Sequence, residues 1–289
     1  MKLAVFSDQS AARIGIVTSG GVVDVSRHVP QAPADMITLM RQWPQLRARL
    51  ETAAGRAPDF AISDVRLHAP VPRPGKIFAI GLNYADHCAE IGQDIPKDQV
   101  WFAKAPSAVT GPYDPIELPA VSDKLDHEAE MVAVIGTPGR NVPRGRAREV
   151  VFGYCIGNDV SVRDWQMRTP QWILGKSFDT HAPVGPWITT ADEVDPHMLD
   201  IRCLVEGIER QKSNTRHLVF DVYAQVEHLT KAMTLEPGDL LFTGTCGGVG
   251  LMAKPPRWLK AGERVRVEIE KLGAIENTVT QGVATPRIG

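Results

Sequence analysis

Two glutamates one residue apart, in His127-Glu128-Ala129-Glu130-Met131-Val132-Ala133-Val134-Ile135, stand where chemistry is possible. On a strand, residues two apart share a face. Glu128 and Glu130 therefore point the same way as Val132 and Val134, while Ala129, Met131, Ala133 and Ile135 line the opposite face. A strand apolar on both faces belongs inside a sheet, yet this one opens with two adjacent carboxylates. Like charges so close resist joint ionisation unless a cation sits between them. The alternative is a strand start that emerges into water, where both are hydrated. A third carboxylate, Asp159, closes the apolar run Phe152-Gly153-Tyr154-Cys155-Ile156-Gly157-Asn158. It reads either as a further ligand or as an Asx turn at a strand end. Glu128, Glu130 and Asp159 together make an all-oxygen set, which suits Mg2+ or Mn2+ rather than zinc.

His87 and Glu90 lie at i and i+3, neighbours on a helix surface. A carboxylate that accepts the imidazole N–H fixes its tautomer and raises its basicity, as a general base requires. A solvated helix pair would have the same spacing. Lys176 sits among apolar residues in Trp172-Ile173-Leu174-Gly175-Lys176-Ser177-Phe178. It is either a snorkelling surface lysine or a buried cation facing the carboxylates. The loop Gly244-Thr245-Cys246-Gly247-Gly248-Val249-Gly250 follows a strand, as dinucleotide-binding loops do. Lys254-Pro255-Pro256 stands where the obligatory helix would start, which argues against a nucleotide. Such a loop still offers backbone N–H groups to a carboxylate or oxyanion.

The elements that must hold these residues are mostly strands. Short apolar runs at 2–6, 13–17 and 22–25 form a small antiparallel unit. Met36, Ile37, Leu39, Met40, Trp43, Leu46 and Leu50 recur at helical spacing, and Pro44 kinks that helix or divides it. Pro70, Pro72 and Pro74 make a stiff connector, which divides a small N-terminal domain, 1–70, from a catalytic one, 71–289. Beyond it, strands are expected at 76–82, 100–103, 129–135, 150–156, 187–189, 201–205, 240–243 and 265–269. Helices are expected from an Asn83 cap to Gly92 and over 218–233. The absence of regular strand–helix alternation disfavours a doubly wound parallel sheet. The fold class is mixed α+β and β-rich.

Composition removes other classes of function. The 289 residues carry 32 Lys+Arg against 34 Asp+Glu, a formal net charge of −2, which leaves no footprint for nucleic acid. No apolar run is long enough to span a membrane, and Ser7-Asp8-Gln9 ends the first apolar run before a signal-peptide core forms. Cys88, Cys155, Cys203 and Cys246 are far apart with no Cys-x-x-Cys pair, which fits buried thiols in a reducing cytoplasm.

Residues 73–283 resemble the fumarylacetoacetate hydrolase family. The matching pieces stand in order: Gly81-Leu82-Asn83-Tyr84-Ala85-Asp86-His87, Phe102-Ala103-Lys104-Ala105-Pro106-Ser107-Ala108, His127-Glu128-Ala129-Glu130, Gly157-Asn158-Asp159 through Gln166, Gly175 through Thr180, Glu236-Pro237-Gly238-Asp239 and Thr243-Gly244-Thr245. The resemblance implies a β-roll catalytic domain, a homodimer, and Mg2+ or Mn2+ on Glu128, Glu130 and Asp159. It implies His87 with Glu90 as the water-activating pair, Lys176 as oxyanion stabiliser, and Arg163, Gln166 and Thr245 on a small 2-oxo acid substrate. Cys246 departs from the proline that often follows Thr-Gly-Thr in the family, which bears on how the loop positions substrate. The implied reaction is hydrolysis of a carbon–carbon bond in an acylpyruvate through an enolate. The alternatives are isomerisation of a 2-hydroxydienedioate or decarboxylation of an oxaloacetate-type acid, reactions of aromatic breakdown. A protein that binds metal without catalysis is a further alternative, but it would need none of His87, Glu90 and Lys176.

Overall fold

Strand Ala129–Ile135 is buried along its whole length, and its two faces meet different partners. Met131, Ala133 and Ile135 pack with Ile201, Cys203, Val265 and Val267. Val132 and Val134 pack instead with Leu39, Leu46 and Leu50 of the N-terminal helices. A strand covered on both faces has to be central, and the computed structural model, which describes residues 1–9 and 11–284, places it in the middle of the largest sheet.

That sheet runs in the order Gly21–Asp24, Arg13–Thr18, Lys2–Ser7, Ala182–Thr190, Val151–Asn158, Ala129–Ile135, Leu240–Phe242, Ile77–Gly81, Val100–Lys104. Adjacent strands in this order are antiparallel except Leu240–Phe242 against Ile77–Gly81, and two short strands join at its flanks, Arg66–His68 antiparallel to Lys2–Ser7 and Val109–Thr110 parallel to Ala182–Thr190. The second sheet runs Ile208–Asn214, Asp200–Val205, Arg264–Ile269, Gly273–Gln281, Ile116–Leu118. The core between them holds residues of both. The fold is mixed α+β and sheet-rich, as expected. The N-terminal strands do not stand apart: Lys2 and Leu3 pair with Thr189 and Ile188. One sheet therefore crosses the proline connector, because the edge of Ala182–Thr190 would otherwise leave its backbone groups unpaired.

Pro44 divides the first helical stretch. Helix Met36–Arg41 ends at Gln42, and Trp43–Ala54 begins with the proline in its first turn, where a missing N–H costs nothing. The helix expected over 218–233 is Val222–Ala232, capped by Asp221, whose carboxylate accepts from Ala224 N–H. Asn83 does not cap the next helix, Ala85–Ile91: Tyr84 holds the cap position without a side-chain bond. The Asn83 amide instead donates to the carbonyls of Phe220 (3.0 Å) and Thr243 (2.7 Å) and accepts from Phe220 N–H (2.8 Å). It ties the start of the His87 helix to two remote segments. All four cysteines are buried and free.

Candidate active site

Strand register brings the carboxylates together. Ala129 pairs with Asn158 and Glu130 with Gly157, so Asp159, one step past its strand, lies beside Glu128. The Asp159 N–H donates to the Glu128 carbonyl at 2.9 Å, and Glu128 N–H donates to the Asn158 amide oxygen at 3.0 Å. Glu128, Glu130 and Asp159 are buried and present carboxylate oxygens within 4.8 Å of one another. The reading of hydrated carboxylates at a strand end is therefore excluded.

Three buried cations meet this cluster. Lys176, at the end of the short helix Ile173–Lys176, donates to Glu128 (2.8 Å) and Asp159 (2.7 Å). It is 1% exposed, a buried cation rather than a snorkelling one. Lys104, at the end of Val100–Lys104, donates to the other Asp159 oxygen at 2.6 Å. Arg163 reaches Glu128 at 2.6 Å and Asp126 at 2.7 Å, and donates to the Gln166 side-chain amide oxygen Oε1 at 3.0 Å. Burial alone would raise the Glu128 carboxyl, but Lys176 and Arg163 overcome it and hold the group at about 2. Lys176 is raised: burial opposes its charge, but Asp159 and Glu128 win. Lys104 is lowered, by burial first and by the like charge of Lys176, against the pull of Asp159.

Glu130 differs from the other two acids. Among the described residues, its carboxylate takes one hydrogen bond, from Gly244 N–H at 2.7 Å. Burial, then the charges of Asp159 and Glu128, push its carboxyl well above the usual carboxylate range. Were all four ionised, the acids Asp126, Glu128, Glu130 and Asp159 would exceed the bases Lys104, Arg163 and Lys176 by one negative charge, an excess that a proton on the raised Glu130 carboxyl or a bound cation removes. A divalent cation fits this set. It would satisfy Glu130, and three hard oxygen ligands within 4.8 Å of one another are the donor type that Mg2+ and Mn2+ take. With that cation the cluster turns net positive, which favours an anionic ligand.

The glycine loop spends its backbone donors on side chains of this same chain. Gly244 N–H goes to Glu130, Gly247 to Asp86 at 3.3 Å, Gly248 to Glu90 at 3.0 Å, and Gly250 to Asp126 at 2.8 Å. It is a brace for carboxylates. Gly250 is needed there, because a Cβ would lie 2.1 Å from the Arg257 carbonyl and 2.5 Å from Asp126. Gln211 supports the loop from the second sheet, donating to Thr245 Oγ1 (2.7 Å) and the Cys246 carbonyl (2.9 Å) while accepting from Ala129 N–H (2.9 Å). Cys246 is buried under this bond network, which holds the loop at the position where a proline often stands.

His87, Glu128, Arg163, Gln166, Lys176 and Thr245 line one cavity of about 280 Å³. Glu130 and Asp159 stand behind that lining. Glu90 flanks His87, with Nδ1 3.3 Å from its carboxylate. The structure thus gathers the residues singled out from the sequence around one cavity. Thr245 Oγ1 also donates to the Ala129 carbonyl at 3.0 Å, so its hydroxyl is shared with the scaffold. Trp172, which reads as exposed in Pro170-Gln171-Trp172, is half-buried. It packs edge-on against Phe102, with ring centroids 5.3 Å apart, and lies against Gly81. A larger cleft of about 410 Å³ lies beside Trp43 and Phe152, away from this cluster.

Sequence reasoning missed Lys104, Asp126 and Gln211. Lys104 stood in a quoted motif, and its signal was a lysine closing an apolar strand. Asp126 directly precedes the His-Glu-x-Glu stretch. Gln211 lies in Ile208–Asn214, whose polar composition hid a strand.

A family model described as fumarylacetoacetate (FAA) hydrolase C-terminal matches residues 76–280. The chain is 42% identical to a mitochondrial oxaloacetate tautomerase of Xenopus laevis, over 96% of this chain and 90% of that protein. Among solved structures, it resembles a maleylpyruvate hydrolase from Sphingobium sp. SYK-6 in complex with manganese(II) and pyruvate. The TM-score is 0.82 at 37% identity, covering 98% of this chain and 100% of that one. It also resembles a 5-carboxymethyl-2-hydroxymuconate delta-isomerase from Mycobacterium smegmatis, with TM-score 0.79 and 35% identity at the same coverage.

Proposed function

This chain belongs to the fumarylacetoacetate hydrolase family, and from that premise we propose that it hydrolyses a carbon–carbon bond of an acylpyruvate, with Mg2+ or Mn2+ on Glu128, Glu130 and Asp159. One observation carries the reading: His87, with Glu90 beside it, shares a cavity with Glu128, Arg163 and Lys176. A proton acceptor thus opens onto the same space as an anion-stabilising floor. When bound, the metal supplies Lewis-acid stabilisation of negative charge at the oxo-acid end of the substrate.

The chain's own groups account for the rest. His87 takes a proton from water, and the hydroxide adds to the distal carbonyl carbon. The bond from that carbon to the pyruvoyl methylene breaks, and its electron pair stays with the pyruvoyl fragment as an enolate. The proton on His87 returns to carbon, giving pyruvate and a carboxylic acid. Lys176 uses two of its three N–H groups on Glu128 and Asp159, leaving one for the developing oxyanion. Loss of such a donor costs on the order of 3 kcal/mol in the barrier. Arg163, Gln166 and Thr245 orient the substrate. Loss of an acylpyruvate's ultraviolet absorbance, with pyruvate release, tests the reading. Turnover in Mg2+ that stops in EDTA supports it; undiminished turnover after metal removal, or no pyruvate, refutes it.

A second reading, enolisation or isomerisation without water attack, is favoured by the 42% identity to a tautomerase over nearly the whole chain. Decarboxylation of an oxaloacetate-type acid would use the same enolate. Glu90→Gln separates these from hydrolysis. It should collapse acylpyruvate cleavage and largely spare a reaction that needs no activated water, whereas equal loss of both favours the second reading.

A further inference from the structure

The charged groups of the cavity are gathered at one end. Glu128, Arg163 and Lys176 bond to one another and to the buried acids, and Gln166 and Thr245 are engaged with the same floor. Away from that floor the walls are mostly apolar: Leu82, Ile91, Phe102, Trp172, Leu251 and Met252, with His87 and, at the exposed rim, Gln93 as polar exceptions. Phe102 marks the junction, since it meets both Lys176, whose Nζ stands 4.9 Å from its ring centroid, and Trp172, whose ring packs edge-on against it. Among the described residues lining the cavity, the lysine and arginine side chains, Lys176 and Arg163, both belong to the floor, and His87, assigned above to the proton of water, is the titratable group beside it. A second substrate carboxylate reaching the apolar walls would find no lysine or arginine there, and an ionised group buried without a partner is strongly disfavoured. The volume of about 280 Å³ is several times the roughly 30 Å³ share of one water, so it holds more than a pyruvoyl head.

Backbone strain points to the same wall. Leu82 has φ +57°, the left-handed region that a bulky side chain rarely occupies and that glycine adopts freely. Strain of this kind persists where the surroundings hold it and gathers at ligand sites. Here it sets a leucine on the cavity wall.

We infer that the distal part of the substrate is neutral and apolar, an alkyl or aryl group seated on Leu82, Ile91, Phe102 and Trp172, and not a second carboxylate. The inference rests on the proposed binding of a 2-oxo acid at the acidic floor.

Calorimetric titration in Mg2+ with two unreactive acids of equal length, 2-oxoheptanoate and 2-oxoheptanedioate, tests it. The monoacid should bind on the order of 100-fold more tightly, from the penalty on an unpaired carboxylate. Leu82→Gly should weaken 2-oxoheptanoate about tenfold, leave pyruvate affinity unchanged, and hold the melting temperature within a few degrees, because relief of strain offsets lost burial. Equal or tighter binding of the diacid, or an unaltered Leu82→Gly affinity, overturns the apolar subsite. Binding of neither acid overturns it together with the acidic floor as a 2-oxo acid site. Preference for the monoacid without cleavage of any acylpyruvate retains the subsite and refutes the hydrolase reading. Cleavage with a preference for carboxylate-ended acylpyruvates does the reverse.

Discussion

Replacing Glu130 with glutamine should stabilise the metal-free protein at neutral pH and abolish its response to metal. In the fold, burial and the neighbouring charges of Asp159 and Glu128 raise the Glu130 carboxyl well above its ordinary value of 4.5. Above pH 4.5 the unfolded chain therefore holds fewer protons at this residue than the folded one. Stability falls as pH rises, until the raised folded value is passed. The slope is about 1.4 kcal/mol per pH unit, which for a chain of this size lowers the melting temperature by roughly 3 °C per unit. Glu128 contributes with the opposite sign and in another window. Held at about 2 in the fold, it stabilises fully above its unfolded value and loses that contribution only as pH falls toward 2. The difference between wild type and Glu130→Gln between pH 5 and 8 thus isolates Glu130. Metal at 100 times its dissociation constant adds about 2.7 kcal/mol to a protein that binds it only when folded. That is a rise of roughly 5–10 °C in wild type and almost none in the variant. Melting in EDTA, MgCl2 and MnCl2 across this range measures both effects. Parallel pH slopes with equal metal-induced shifts in the two proteins would refute the assignment of Glu130 as a buried metal ligand.

His87→Ala should keep metal affinity and lose about 10²–10⁴-fold in turnover, measured by titration calorimetry beside steady-state kinetics; weakened metal binding with turnover per bound metal intact would make His87 a ligand. Lys104→Met removes one partner of a buried ion pair with Asp159 and should cost about 3–5 kcal/mol in denaturant unfolding, whereas a loss below 1 kcal/mol would show that Lys176 alone neutralises Asp159. We propose a homodimer, and Ile173 and Leu174, 42% and 64% exposed, are apolar surface beside the site; light scattering that returns the chain mass of 31.6 kDa at micromolar concentration would exclude it.

The parts of this protein legible in the sequence were those governed by local periodicity. Alternation along 129–135 put Glu128 and Glu130 on one face, and the face assignment agrees with the separate partners of Val132 and Met131. Pro44 divided a helix because a proline inside one removes a bond that the chain cannot replace. Spacing also paired His87 with Glu90. Strands Ile208–Asn214 and Gly273–Gln281 went unread because their outward faces are polar, so that alternation was diluted. The hairpin turn Glu206-Gly207, with positive φ at both residues, was the one local sign of the first. Asn83 looked like a cap because a cap is the commonest local use of asparagine before a helix, but its partners, Phe220 and Thr243, are over a hundred residues away. Only the tertiary structure decided how the charges balance. The register of two antiparallel strands set Asp159 beside Glu128, and chain crossings placed Lys104, Arg163 and Lys176 against them. Whether a carboxylate is hydrated, paired or held above its ordinary range depends on burial and on neighbours distant in sequence, and no local pattern of residues records either.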